Sequence, residues 1–357
     1  MHITELVARQ LGLTEVRELE PYATINGVTV VDLESQEGHF RVHLVRDSQS
    51  VNVSLEEGSK LSAYYNSLFW HEATTTEKIA LPSGRFKTTF RVSDGPVKHS
   101  VFITTLDRPG TVRKRKLTLD ELEQIAREIA KMHAVGLKVL RKEFETSVRE
   151  NYENIRKYRD KVQKEVIEVL ELAVTNELST FFKNPAAILQ KVGILTHHLD
   201  GRKEEKHEEV EEVIAHGRLT ADTCRFDEHG NLVEITEWEN IHLGNPVEDL
   251  TNLIISSADS DIRSKKFRKI FQTYFYALVD IHPPNYQLPD LKQWFREQMA
   301  RAVVDGIEFL LLELSDGADH VQEKRDAAHR WESALDEAVD HLTGNYVSDD
   351  EQDYRTD

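Results

Sequence analysis

The chain has 357 residues, 39% hydrophobic and 30% charged, the balance of a soluble globular protein long enough for two lobes or two ordinary domains. Its net charge of −18 opposes binding to nucleic acid and to anionic membrane, and no apolar run approaches the roughly 20 residues needed to span a bilayer. The lone cysteine, Cys224, excludes an intramolecular disulfide framework and a Cys-rich zinc site.

The first hundred residues read as strands and turns. Thr24 to Leu33 carries an Asn-Gly pair between β-branched residues, a hairpin signal. Phe40 to Val45 alternates as a strand does, and Val51 to Leu55 is a further candidate. Lys60 to Trp70 predicts a short helix whose aromatics, Tyr64, Tyr65, Phe69 and Trp70, suit packing better than a shelf for a nucleobase. Arg85 to Val92 and His99 to Thr105 predict two strands turned by Asp94-Gly95-Pro96. The basic run Arg108 to Lys116 is a solvated loop ahead of a helix, in preference to a phosphate site.

After Pro109-Gly110 the pattern becomes helical. Thr118 and Glu121 form a capping-box signature, and Leu122, Ile125, Ile129, Met132 and His133 then fall on one helical face. Phe144 to Leu178 and Glu204 to Val213 predict charged helices. Short strands are expected around Arg225-Phe226 and over Leu232 to Thr236. From Val247 the pattern is helical almost to Leu342, with Leu291 to Leu314 patterned for burial. Strands first and helices after predict an α+β protein.

The stretch from Val213 to Leu253 carries the chemistry. It contains His216-Gly217, then Phe226-Asp227 with a Gly230-Asn231 turn, then Trp238, and then His242-Leu243-Gly244-Asn245-Pro246 with Glu248-Asp249-Leu250. In order and spacing these resemble the choline/ecdysteroid-kinase-like and aminoglycoside-phosphotransferase-like family, and most closely its insect and nematode branch. In that family the catalytic loop has the form H-G-D-x-x-x-x-N and a later segment is close to H-x-G-N-P-x-E-D-L. Leu117 to Ala134 is similar to the family's first large-lobe helix. The resemblance implies a protein-kinase-like two-lobed fold: a small antiparallel-sheet lobe over residues 1–106 and a mainly helical large lobe over 107–345. A hinge near Leu106 to Gly110, a helical insertion over 152–213 and a disordered acidic tail over 346–357 complete the expected layout.

Phosphoryl transfer is largely positioning and charge neutralisation, and the resemblance assigns those tasks to positions where this sequence departs. The base position holds Arg218, whose guanidinium cannot accept a proton near neutrality. Thr223 stands at the position of the metal-ligating Asn. Glu237 stands at that of the metal-ligating Asp, and its extra methylene suits poorly the octahedral demands of Mg²⁺ at about 2.0–2.1 Å. His43 falls where the family has its nucleotide-binding Lys. An ion pair between Arg218 and Glu237, with the guanidinium in the metal's place, is one expected consequence. His216 is read as a brace of the loop, and Gly217, Gly244, Asn245 and Asp249 as loop anchors. Asp222 is a weak substitute ligand, His197-His198 with His207 a solvated group, and Cys224 a buried core residue.

These departures predict a catalytically inactive relative of small-molecule kinases with a binding or regulatory role. Two alternatives stay open: an active ATP-dependent phosphotransferase on a small-molecule alcohol, using relocated groups, and a protein-interaction scaffold. No cofactor is expected, except ATP and Mg²⁺ where nucleotide binding or activity persists. The partner is unknown, with a small-molecule or protein ligand in the interlobe cleft as the expectation. The N-terminus MHITELVARQLGL has an acidic residue and no continuous apolar core, unlike a secretory signal. With the single cysteine it points to the cytoplasm.

Overall fold

In the computed structural model the described residues are 3–21, 28–46, 86–94, 97–105, 111–139, 163–202, 210–236, 240–315 and 320–344. The chain opens with helix α1 (Ile3–Leu11) and an antiparallel sheet ordered β1-β2-β3-β5-β4. Its strands are β1 (Arg17–Pro21), β2 (Val28–Ser35), β3 (Gly38–Arg46), β4 (Phe86–Asp94) and β5 (Val97–Thr105). Alternation explains its burial. Val31 and Leu33 of β2, Phe40, Val42 and Leu44 of β3, and Val101 and Ile103 of β5 share one core with Val7 of α1. In β3, His43 pairs in register with Val30 and Phe102.

The expected strands over 40–45, 85–92 and 99–105 correspond to β3, β4 and β5. The turns at Asn26-Gly27 and Gly95-Pro96, the strand expected over 51–55 and the helix over 60–70 lie outside the described residues, as do the hinge over 106–110 and the tail over 346–357.

A second, larger core belongs to the helices, and it has no residue in common with the sheet's core. It is built by α2 (Leu119–Val139), α3 (residues 163–175), α4 (Pro185–Arg202), α5 (Glu248–Ser257), α6 (Phe267–Val279), α7 (Leu288–Ser315) and α8 (Val321–Thr343). The capping box starts α2 as its sequence predicts. Thr118 N–H donates to Glu121 Oε2 at 2.8 Å, and Glu121 N–H donates to Thr118 Oγ1 at 3.4 Å. Leu122, Ile125 and Ile129 are fully buried on the apolar face of α2, which packs along α6, while α7 packs on α5 and α8. The region from 163 to 202 joins this core through Leu170, Ile188, Val192 and Leu195. Its helix α4 is positioned by Glu332 of α8, whose two carboxylate oxygens accept from Lys183 and Asn184 N–H at 2.7 Å each. Arg263, fully buried ahead of α6, is held by Glu337 of α8 through two bonds of 2.7 and 2.8 Å, a bidentate pairing that compensates a buried charge.

One expected helix is corrected. Residues 210–212 are not helical and Val213 opens strand β6 (Val213–Ala215), which pairs antiparallel with β9 (His242–Gly244). Charged residues suggested a helix here, but β-branched Val213 and Ile214 are buried in a two-stranded ladder, and that pairing decides the local structure. Between these strands lie β7 (Cys224–Phe226) and β8 (Leu232–Ile235), a small hairpin. Among the described residues no helix is long and apolar enough to cross a membrane.

Truncating Ile129 to alanine removes fully buried apolar volume from the middle of α2. Ile129→Ala is expected to lower unfolding free energy by about 2–5 kcal/mol, measured by urea denaturation.

Candidate functional site

The loop 216–223 leaves β6 and enters a short 3-10 turn, Ala221–Thr223, before β7. Its backbone is fixed from below. Asp249, the second residue of α5 and fully buried, accepts from His216 N–H at 2.6 Å and from Gly217 N–H at 2.9 Å. Behind it stands a buried chain of polar groups. His133 of α2 lies 3.5 Å from Asp249 and shares a 2.8 Å hydrogen bond with Tyr274 of α6, whose hydroxyl is 3.3 Å from that of Tyr286.

Burial alone would raise the Asp249 pKa. The His133 imidazole beside it and the hydrogen bond from His216 N–H outweigh burial, so the net direction is below the ordinary 3.8. The same burial drives the Tyr274 hydroxyl well above its ordinary value.

His216 is fully buried and both ring nitrogens are used. Nδ1 accepts from Arg218 N–H at 3.2 Å, which leaves Nε2 to donate to the Thr236 carbonyl at 2.8 Å. Gly217 has φ +78, and a Cβ there would lie 2.4 Å from the Asn240 carbonyl oxygen and 2.8 Å from His242 Nδ1. Only glycine meets both the left-handed backbone and the close approach. His242 is held by the Asn240 carbonyl at 2.9 Å and by Glu248 at 3.1 Å. Gly244 lies under Glu248, where a Cβ would come within 2.7 Å of Oε2. Asn245 precedes α5, its Oδ1 accepting from Val247 N–H at 3.0 Å.

At Arg218 and Thr223, positions to which the resemblance assigns chemistry, the side chains have partners within the chain. Arg218 reaches Glu308 of α7, Nη2 to Oε1 at 3.4 Å, and its guanidinium lies 4.8 Å from the ring centre of Phe309. Thr223 is fully buried and its hydroxyl is spent on its own turn, donating to Thr220 O at 2.9 Å and accepting from Thr220 N–H at 3.1 Å. A hydroxyl so engaged does not offer Mg²⁺ a ligand, and Arg218 brings a cation to the same loop, so the described residues do not fit a magnesium–nucleotide centre. Glu237 lies outside the described residues, and with it the expected pair with Arg218. His43 is placed in β3 of the sheet. Cys224 is fully buried behind the loop, and burial pushes its thiol up to about 12. His197 and His198 lie on α4, while His207 lies outside the described residues.

A cavity of about 200 Å³ opens beside the loop, walled by Gly217, Arg218 and Asn240, by Asn252 of α5, and by Asp305 and Glu308 of α7. The sequence motifs point to the loop side of this wall but not to Asp305, Glu308 or Phe309. Those three sit in a helix patterned for burial, and nothing in that pattern marks them. His133 likewise reads as core, on an apolar face visible in the sequence.

The comparisons with known proteins agree with this architecture. The model of the ecdysteroid kinase-like family matches residues 110–283, the segment that contains α2, the loop, the hairpin and α5. Over those residues the chain is similar to that family. Among solved structures, a spectinomycin phosphotransferase in complex with ADP and spectinomycin is similar with a TM-score of 0.51 at 13% identity, covering 95% of this chain and 98% of that one. An ethanolamine kinase from Plasmodium vivax has a TM-score of 0.47 at 9% identity, covering 95% of this chain and 86% of that one. No curated protein matches. The fold is the two-lobed, kinase-like α+β fold of small-molecule phosphotransferases.

Asp249→Asn keeps one acceptor oxygen and loses the other, so it is expected to cost about 1.5–3 kcal/mol, the worth of one hydrogen bond to a charged group. Because the folded pKa lies below the unfolded one, the carboxylate's contribution is present above about pH 3.8 and fades as pH falls through the folded value. Urea denaturation of both proteins between neutral and acid pH should show their gap narrowing below that point. Cys224 should resist maleimide labelling in the native protein and react once urea unfolds it.

Proposed function

We propose that this ecdysteroid kinase-like chain is a catalytically inactive relative of small-molecule kinases, in which the loop and its cleft are kept for binding. The observation that carries the reading is Arg218. A permanently protonated guanidinium stands where phosphoryl transfer to an alcohol needs a proton acceptor, and its partner is Glu308, a residue of the cavity wall. Thr223 supports it, since its hydroxyl closes the loop's own turn.

Retention of the brace is the other half of the argument. Asp249, His216 and Gly217 hold the loop backbone through contacts that involve none of the replaced side chains. Such a loop keeps its shape after its chemistry has gone. On this reading residues 1–106 form the small lobe and 107–345 the large lobe, and the 152–213 insertion contributes to the cleft.

The test is transfer of labelled phosphate from ATP to a panel of alcohols, beside thermal-shift titrations with ATP in the presence and absence of Mg²⁺. A nucleotide at about 100 times its dissociation constant stabilises by about 2.7 kcal/mol, so binding is readily seen. The natural chain is expected to transfer no phosphate, and Mg²⁺ is expected to leave any ATP-induced shift unchanged. Mg²⁺-dependent transfer that Glu237→Gln abolishes would overturn the reading. The triple variant Arg218→Asp, Thr223→Asn, Glu237→Asp is expected to gain Mg²⁺-dependent stabilisation by ATP.

A further inference from the structure

The cavity beside the loop has a chemistry that an emptied kinase site does not require. Its volume of about 200 Å³ exceeds the roughly 150 Å³ of an engineered cavity that accommodates benzene. A group of amino-acid size fits this space.

Arg218 enters this space with its hydrogen-bonding capacity largely unused. A guanidinium has five N–H donors. Nη2 reaches Glu308 at 3.4 Å, well beyond the roughly 2.7–2.9 Å of a good charge-assisted bond. Nε is buried and makes no hydrogen bond. The Phe309 ring, 4.8 Å from the guanidinium carbon, supports its face as a cation–π partner and leaves its edge for a ligand. Glu308 is 43% exposed, so its carboxylate can turn without strain on the core. Asp305 adds a second acid to the wall, and Asn240 and Asn252 add two amides.

We propose that this cavity binds a small zwitterion, a molecule of the α-amino-acid class, with its carboxylate on Arg218 and its ammonium on Glu308. The proposal rests on the reading above of Arg218 as a binding group instead of a site for a base. Charge balance selects the class. A simple anion would take Arg218 from Glu308 and give nothing back to that carboxylate. A simple cation would take Glu308 and leave the part-buried guanidinium uncompensated. A zwitterion exchanges one long internal ion pair for two intermolecular ones and leaves neither charge alone.

The experiment is calorimetric titration of the full chain with the twenty common L-α-amino acids at up to about 10 mM, past the millimolar range of a weak ligand. The best binder is then compared with its decarboxylated amine and its N-acetyl acid. At least one amino acid is expected to bind, both single-charge analogues at least tenfold more weakly. Arg218→Met and Glu308→Gln are each expected to lose at least tenfold in affinity with the melting temperature of the free protein unchanged. Absence of binding by every amino acid, or an amine or N-acetyl acid that binds as well as its parent, would overturn the proposal. The analogue comparison uses the natural chain alone, so it stands even where a variant fails to fold. Labelled ATP added to the same sample separates the two readings. Phosphate found on the bound amino acid would overturn inactivity while the charge-selective binding still supported this assignment.

Discussion

A buried carboxylate in the first turn of a helix, accepting two backbone N–H groups from a loop, is the contact on which the rest of the site depends. Asp249 sits where the α5 macrodipole favours negative charge, and its two bonds to His216 and Gly217 fix the direction in which the chain leaves β6. An unpaired carboxylate at full burial would cost several kcal/mol. These two bonds and the adjacent His133 compensate it, and in doing so they tie α2, α5 and the loop into one unit. Gly217 can then take its left-handed turn against Asn240, and His216 can face Thr236.

The loop is thereby specified through its backbone. The Arg218 side chain takes no part in its bracing from below, so a substitution at 218 can change what the loop presents without changing its path. At 223 the hydroxyl caps its own turn. At 218 the side chain reaches across to α7, onto Phe309 and Glu308. The side of the loop facing α5 is held by Asp249, while the side facing the cavity presents the Arg218 cation.

The sequence made some of this legible and hid the rest for physical reasons. Strands β3, β4 and β5 announce themselves by alternation, and α2 by its capping box, because those signals are local. The motif from His216 to Asp249 is legible through resemblance, since loop anchors sit at fixed spacings. Strand β6 was not legible, because three residues beside a charged stretch have no periodicity and are decided by their pairing with β9. Nor were Asp305, Glu308 and Phe309: a helix patterned for burial gives no sign of which turn borders a cavity. The expected Arg218–Glu237 pair came from facing positions in a family. Glu237 lies outside the described residues, and the partner that the structure describes for Arg218 is Glu308 of α7, ninety residues on in the chain.

The contrast between Arg218 and two buried arginines, Arg263 and Arg330, shows why its contact with Glu308 is not merely another structural ion pair. Arg263 is fully buried, and its guanidinium engages Glu337 through two short bonds, with Ser333 and the Ala258 carbonyl as further partners. Arg330, also buried, donates to the carbonyls of Ser256 and Arg115. Both satisfy their donors as a buried cation must. Arg218 makes one long bond, keeps an unpartnered Nε and borders a space large enough to hold a ligand. Arg218 is under-paired where it lines the cavity, and that is where an incoming oxyanion gains most.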